Sequence, residues 1–427
     1  MDTGRNVQRD FGMKVLRYIG LMLTVLLLTA CSRESDTTET KQPAVINVYV
    51  FAPDKPMITR GDIGDVNPID NTINESIITK LQIWVFDNES GDLVVYYSPE
   101  SVEELNGTNS NGEAHYQLSV SEAFAQKAQR AQSNNNPLPR VDVYVIANSS
   151  SFGMTFSEAT SRAELEAAMI KKSETNDYFG LEPLTATVPQ DGDGNSIGLP
   201  MSGVLHNVTI QGSSPVYRLQ NVKLTRAVSK IRFVFCREKP EEDQEDIPVK
   251  IKSIKLNESM IPKEEYLFLE TGDDAKPYRV GTFETNDARE FLPVNSNNEV
   301  QILNDIPKND DPLLYVYQAQ SAQDYEDLIA AALNNKEEDG STPKPLLKQV
   351  GPFYLRESDK QLEGVITYQK GEETEKTATF IMKTAGDFSR NHTWTVYAYY
   401  SKSGLVAVTV AVKNWNNTER LHEVYNW

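Results

Sequence analysis

The chain has 427 residues, a formal net charge of −19 and 39% hydrophobic residues. That composition is too apolar for a disordered protein, and the length predicts two or three domains with cores of their own. The acidic balance argues against non-specific nucleic-acid binding, which needs a basic face. The four histidines and two cysteines lie far apart and leave no zinc-ligand spacing, so no metal or cofactor is expected.

The N-terminal segment has the pattern of an export signal. Basic residues precede an uncharged run of 13 residues at 18–30, which is too short for a bilayer-spanning helix of about 20 residues. This pattern predicts a signal peptide over residues 1–30, with Met13 as an alternative start. The run ends at Cys31 and resembles the lipobox of bacterial lipoproteins, in which the cysteine is acylated. An ordinary signal peptide with a chance cysteine is the alternative.

The first strand is predicted just after a polar tether at 32–43. Ile46, Val48 and Val50 alternate with more polar residues, which is typical of a half-buried strand. A loop that includes Arg60 follows this strand.

The sequence pattern of the rest of the chain predicts mainly short strands separated by turn residues. Ser161 and Glu164 have the spacing of a capping box at the start of one short helix, and a second helix is predicted at 323–333. Strands are predicted at 79–87, 93–97, 140–147, 217–224, 227–236, 249–256, 300–303, 313–318, 351–355, 362–368, 377–382, 393–400 and 405–412.

This pattern indicates an all-β fold with a few short helices, built as two β-sandwich domains in tandem. The boundary is predicted near residue 215, between an N-terminal sandwich at 61–215 and a C-terminal sandwich at 216–427.

The order of these segments resembles that of the Bacteroidales type V pilins, the fimbrillins of the major and minor fimbriae. The resemblance implies that both sandwiches are transthyretin-like. The segments that carry it are the lipobox at Cys31, the loop up to Arg60, ITKLQIWVFDNESGDL (78–93), VDVYVIANSS (141–150), LPMSG (199–203), LTRAVSKIRF (224–233), RNHTWTVYAYY (390–400), and VAVTVAVKNW (406–415) with the C-terminal Trp427.

The resemblance implies a route from precursor to fibre. Residues 31–60 would be a propeptide that is lipidated on Cys31 and held at the outer membrane. A trypsin-like, Arg-specific protease would cut between Arg60 and Gly61, and the first strand, with Ile46, Val48 and Val50, would leave as a plug. Without the resemblance, Arg60 is an ordinary solvated loop residue.

The resemblance also implies that the C-terminal segment of another subunit fills the groove left by the plug. The partners would be other copies of the chain or related subunits, in a surface fimbrium that supports adhesion and biofilm formation. An ordinary last strand is the alternative for this segment. Its apolar residues are Trp415, Leu421, Val424, Tyr425 and Trp427.

Two other functions stay open at this stage. The chain could be an accessory or tip adhesin of the same fimbriae, or a surface lipoprotein that binds glycans, with ligands on host or bacterial surfaces. None of these readings is an enzyme, and the sequence contains no Gly-x-Ser-x-Gly nucleophile motif or phosphate-binding loop.

Overall fold

In the computed structural model of the protein, Ala44–Trp427 forms one compact unit. The structure describes residues 43–52, 77–106, 113–152, 154–171, 198–237, 247, 249–257, 259–272, 275–276, 278–283, 289–292, 300–301, 348–382, 388–401, 404–414 and 420–426.

Strands of the first sandwich are short, and most carry alternating apolar residues. The described residues of this sandwich also form three α-helices, α1 Glu103–Asn106, α2 Glu122–Ser133 and α3 Arg162–Glu166, and one short 3-10 helix, Ser149–Phe152. The strands are β1 Val45–Phe51, β2 Leu81–Asp87, β3 Leu93–Tyr97, β4 Glu113–Ser119, β5 Arg140–Ala147, β6 Met169–Lys171, β7 Met201–Thr209, β8 Gln211–Ser213, β9 Val216–Arg218, β10 Val222–Lys223 and β11 Thr225–Arg226.

Two sheets enclose the core of the first sandwich. In one sheet, β1 lies between β4 on one side and β9 and β10 on the other, and β8 pairs with β9. The other sheet has the order β11-β7-β5-β2-β3. Alternate residues of facing strands, such as Val48, Ile83 and Val145, are buried between the sheets and form one core.

The second sandwich likewise consists of two sheets that enclose a core. Its sheets have the orders β17-β12-β20-β21-β22 and β15-β13-β18-β19, and β16 also pairs with β13. Phe233, Ile254 and Trp394 lie in the core between them. The strands are β12 Ser229–Arg237, β13 Val249–Leu256, β14 Glu264–Tyr266, β15 Arg289–Leu292, β16 Val300–Gln301, β17 Lys348–Leu355, β18 Leu362–Lys370, β19 Lys376–Met382, β20 His392–Ser401, β21 Gly404–Asn414 and β22 Arg420–Asn426.

A third cluster of buried side chains joins the two sandwiches. Trp84 and Tyr144, on the outer face of the β2-β5 sheet, share it with Phe268 and Tyr354 from the second sandwich. Tyr144 and Phe268 meet edge to face, with ring centroids 5.1 Å apart. Strand β14 pairs with β6 across the same joint, so backbone hydrogen bonds reinforce the apolar contact.

The predicted all-β class with a few short helices is confirmed, and the capping box at Ser161 and Glu164 is present at the start of α3. The stretch 217–224, predicted as one strand, is divided into β9 and β10, which pair with different parts of β1. The strand predicted at 313–318 and the helix predicted at 323–333 lie outside the described residues. The boundary near residue 215 stays a prediction; the first pair of sheets ends at Arg226.

Candidate strand-exchange site

Strand β1 is an inner strand of the first sandwich although it comes before every other described strand. Its sequence, VINVYVF, supplies β-branched residues at alternate positions, which favours a pleated strand with one apolar face. The three predicted plug residues, Ile46, Val48 and Val50, are fully buried, with exposed fractions of 0%.

The backbone of β1 is paired along both edges. On one side, all seven residues are in antiparallel register with β4, from Val45 opposite Ser119 to Phe51 opposite Glu113. On the other side, Val45 begins a parallel pairing with β9 opposite Val216, and Val50 begins one with β10 opposite Val222. Removing β1 would therefore separate β4 from β9 and β10 and leave unpaired backbone groups on both walls.

The outer face of β1 is held to β4 by a second set of contacts. The rings of Tyr49 and His115 stack with their centroids 4.6 Å apart. The Nε2 atom of His115 also lies 3.0 Å from Oδ1 of Asn47. Cross-strand pairs of this kind are worth about 0.2–1 kcal/mol each, which is less than the burial of the inner face contributes.

The walls of the candidate groove can be read from the strand register. Ile46 lies between Leu118 of β4 and Tyr217 of β9. Val48 lies opposite Tyr116, and Val50 lies between Ala114 and Val222. All five wall residues belong to the buried core of the first sandwich: Ala114, Tyr116, Leu118, Tyr217 and Val222.

Burial explains why β1 stays in place while it is connected to the chain. Each fully buried Val or Ile side chain contributes about 1.5–3 kcal/mol relative to an exposed one. Ile46, Val48 and Val50 together with two rows of backbone hydrogen bonds make β1 an integral strand. The same features define what could replace it, namely a strand with small apolar residues at alternate positions.

The predicted donor segment forms the last described strand of the second sandwich. Strand β22 contains Leu421, Val424 and Tyr425 and pairs in antiparallel register with β21, from Ala407 opposite Asn426 onwards. In the described sheet order, β22 follows β21 and has no further strand beside it. It can be released without breaking any other described strand pairing.

Several predicted site residues cannot be placed. Cys31, Arg60, Gly61, Trp415 and Trp427 lie outside the described residues. Among the described residues, no cluster of His, Cys, Asp or Glu is arranged to hold a metal ion. The described part of the chain also contains no helix with the length and apolar character needed to cross a membrane.

Sequence reasoning missed β4, which forms a whole wall of the groove, although the signal was present. Its sequence EAHYQLS alternates strictly, with Ala114, Tyr116 and Leu118 buried and the residues between them exposed. It also missed the significance of Tyr217, whose position beside Ile46 depends on a parallel pairing that no local pattern indicates.

Residues 64–252 match the family described as "Major fimbrial subunit protein (FimA)". A search of curated proteins finds no match.

Solved structures give matches of low sequence identity. A fimbrial assembly protein from Parabacteroides distasonis is 14% identical, and the match covers 90% of this chain and 100% of that one, with a TM-score of 0.41. The tip fimbrial protein Mfa3 from Porphyromonas gingivalis, with a C-terminal truncation, is 12% identical; that match covers 90% of this chain and 100% of that one, with a TM-score of 0.41.

Proposed function

We propose that the protein is a structural subunit of a cell-surface fimbrium that polymerises by strand exchange, a proposal supported by the match of residues 64–252 to the family of FimA major fimbrial subunits. The family match confirms the fimbrillin resemblance and is a match to structural proteins, not to enzymes. The observation that carries the polymerisation step is the position of β1, the first described strand, which pairs along both edges and completely buries Ile46, Val48 and Val50.

The first proposed step is export as a lipoprotein. The short apolar run and the lipobox-like end at Cys31 support acylation of that cysteine and anchoring in the outer membrane. A lipid on Cys31 would be connected to the fold through β1, because only the polar segment 32–43 lies between them. One cut after β1 would therefore release the subunit from its anchor and from its plug together.

The second proposed step is that cut. Arg60 is followed by the small Gly61, and both lie between β1 and β2 along the chain. A trypsin-like protease recognises an arginine through a carboxylate in its specificity pocket. Arg33 and Lys41 precede β1, so cutting at those positions would remove the lipid and leave the plug in place.

The third proposed step is replacement of the plug by another copy. The C-terminal segment, with Trp415, Leu421, Val424, Tyr425 and Trp427, is the proposed donor. Its strand β22 is paired along one edge only among the described strands, whereas the groove would offer it two. Exchange therefore increases the number of backbone hydrogen bonds that the segment makes.

The experiment that tests the whole route is to identify the N-terminal residue of the protein isolated from cell-surface fibres. Gly61 is expected if the chain is a processed fimbrial subunit. An acylated Cys31 on the surface form would contradict processing and would favour a permanently anchored lipoprotein. Recovery of Gly61 in monomers without fibres would contradict the strand exchange alone.

A further inference from the structure

His115 of β4 contacts two successive outward residues of β1. Its ring stacks on that of Tyr49, which lies directly opposite in the register, and the two ring planes are 15° from parallel. Its Nε2 atom lies 3.0 Å from Oδ1 of Asn47, the neighbouring outward residue of β1, which is a hydrogen-bond distance. These three residues, which we call the outer cluster, join β1 to one wall of the groove by side chains as well as by backbone.

The inner face of β1 carries little that distinguishes it from another apolar strand. Ile46, Val48 and Val50 present only hydrocarbon to the core, and the main-chain hydrogen bonds of a ladder form with any sequence. A strand with small apolar residues at alternate positions satisfies both requirements. The outward side chains are therefore where a plug and its replacement can differ.

The proposed donor segment lacks the pair of residues that His115 contacts. In β1 the pair is Asn47 and Tyr49, which are separated by one residue and so lie on the same face of the strand. Residues 404–427 contain no asparagine and tyrosine with this spacing in either direction of the chain. A replacement strand from this segment would pair with the walls of the groove without forming the outer cluster again.

We propose that His115 is a plug-retention residue, which holds β1 in the groove after the chain is cut and slows its exchange for a donor strand. This inference rests on the proposed function, because it needs a cut β1 that can leave. His115 stays with the subunit, whereas Asn47 and Tyr49 leave with the plug. The outer cluster therefore acts on the release of β1 and is absent from the finished polymer.

Retention of the cut strand protects the subunit until a donor is present. Without β1 the groove would expose buried apolar residues of its wall, such as Tyr116 and Leu118, together with unpaired backbone groups. A sheet exposed in this way pairs readily with other chains and aggregates. A plug that leaves slowly keeps the groove covered while the subunit is still a monomer.

Tyr49→Val is the decisive variant, because it removes the ring from the outer cluster and keeps a residue that favours strands. Full-length precursor is treated with trypsin, the protease is inhibited, and the sample is diluted so that other copies do not compete for the groove. The fragment with residues 44–60 is then separated by ultrafiltration at successive times and quantified by mass spectrometry. It should leave the variant about two- to fivefold faster than wild type, as expected for the loss of one cross-strand pair.

His115→Thr tests the same contact from the wall of the groove. It should accelerate release at least as much as Tyr49→Val does, because it removes the stack and the hydrogen bond together. The double variant should release the fragment more slowly than the product of the two single effects requires, since both substitutions remove the same stack. Asn47→Thr removes only the hydrogen bond, should also accelerate release, and replaces Tyr49→Val as the test if that variant does not fold.

Gln117→Thr is the matched control. Gln117 is exposed on the same face of β4, two residues from His115 and directly opposite Asn47. Its substitution should leave the release rate at the wild-type value.

Equal release from wild type, Tyr49→Val and His115→Thr would overturn the proposal, and so would an equal acceleration by Gln117→Thr. Neither result bears on strand exchange, which is followed separately by the appearance of polymer in undiluted samples. If polymer forms while the fragment with residues 44–60 stays bound to it, strand exchange itself is wrong.

Discussion

Arg390 is a buried residue that ties the second sandwich to the joint between the sandwiches. Its guanidinium donates to both carboxylate oxygens of Glu357 and to the backbone oxygens of Tyr266 and Leu267. Glu357 also accepts from the backbone N–H of Arg279, so its carboxylate has partners on every side. Removing either member of such a buried pair would leave an uncompensated charge.

Glu265, in strand β14 of the same joint, differs from Glu357 in that its carboxylate is only partly hydrogen-bonded among the described residues. It is fully buried, its Oε2 accepts from the backbone N–H of Glu357 at 2.6 Å, and its Oε1 has no hydrogen-bond partner among the described residues. Burial raises the pKa of Glu265 well above its usual value, and the neighbouring Glu357 carboxylate raises it further, against the opposing effect of Arg390 and Arg356. The fold therefore favours the protonated acid at this position.

Glu265→Gln should make the precursor less sensitive to rising pH. Because the folded-state pKa is raised, the folded state binds the proton more tightly than the unfolded state. The stability due to that proton is fully present below the unfolded pKa and is lost as the pH rises through the folded pKa. The variant, which stays neutral, should gain unfolding free energy over wild type as the pH increases, measured by urea denaturation across a pH series.

Glu166→Gln is a control of opposite sign. Burial opposes ionisation of Glu166, but hydrogen bonds from Arg162 and Tyr144 lower its pKa overall. Its stabilisation is therefore present above the unfolded pKa and lost as the pH falls through the lowered folded pKa. Glu166→Gln should therefore lower the free energy of unfolding at neutral pH.

The free energy of unfolding of Glu265→Gln is compared with that of wild type over the same pH series. If the two change equally with pH, the placement of a proton on Glu265 is wrong.

Arg60→Ala should stop assembly before the plug is released. The substitution removes the guanidinium that an Arg-specific protease needs, and it leaves β1 and its buried residues unchanged. The variant should accumulate as a folded monomer that retains residues 44–60, detected by mass spectrometry of the surface fraction. Lys55→Ala is the matched control and should be processed normally, because Pro56 follows Lys55 and makes it a poor cutting site. Normal fibres that still contain residues 44–60 in the Arg60→Ala variant would defeat the proposed mechanism.

At the scale of the element, deletion of residues 416–427 tests the donor. The truncated precursor should still fold, because β22 pairs only with β21 among the described strands and leaves the other strands of its sheet in register. After trypsin treatment it should remain monomeric, since no strand is left to enter a neighbour's groove. The measurement is the ladder of polymer bands on a denaturing gel of unboiled sample, with circular dichroism as the control for folding.

A ladder equal to that of wild type would move the donor to β21. The even-numbered positions Val406, Val408, Val410 and Val412 of that strand match the apolar spacing of β1. A truncated protein that receives strands from wild-type copies but donates none would cap the fibres, and the fibres in a mixture should become shorter.

An element can be predicted from the sequence when the residue pattern that specifies it lies within the element itself. The alternation in β1 and the capping box of α3 are local, and both were predicted correctly. Helix α2 was missed because its composition is polar and only Phe124 and Ala128 on it are buried. Its contacts are distant in sequence: Phe124 and Ala128 pack in the core of the first sandwich, and the ammonium of Lys127 lies 2.8 Å from a carboxylate oxygen of Asp87 at the end of β2 and of Glu89 in the following turn.

The parts of the candidate site that depend on strand pairing could not be predicted from the sequence. The predicted plug residues can be recognised in the sequence because apolar residues recur there at every second position. The residues that line the groove depend instead on which strands pair and in what register. The parallel pairing that brings Tyr217 beside Ile46 joins residues 171 positions apart, and no local preference specifies it. Burial of Glu265 likewise depends on β6 and on the loop that bears Glu357, which sequence patterns alone do not bring together.

At the scale of the whole molecule, charge should govern how fast subunits meet. Cutting after Arg60 removes eight basic and six acidic residues and leaves a net charge of −21. Like-charged subunits repel each other in solution, which keeps them soluble and slows encounter. The proposed strand exchange would bury mainly apolar side chains, so the final contact should be much less sensitive to salt than the encounter.

Polymerisation of trypsin-treated subunits should therefore accelerate severalfold between about 0.05 M and about 0.5 M sodium chloride, because the screening length shortens from more than ~10 Å to a few ångströms. The measurement is the rate at which the ladder appears, after processing has gone to completion and the protease has been inhibited, so that the cut is not limiting. The decay rate of finished polymer, followed in the same salt series, is the internal control and should change little, because buried strands must be pulled out whatever the ionic strength. A rate of assembly that falls with salt would show that complementary patches steer the subunits together in spite of their net charge.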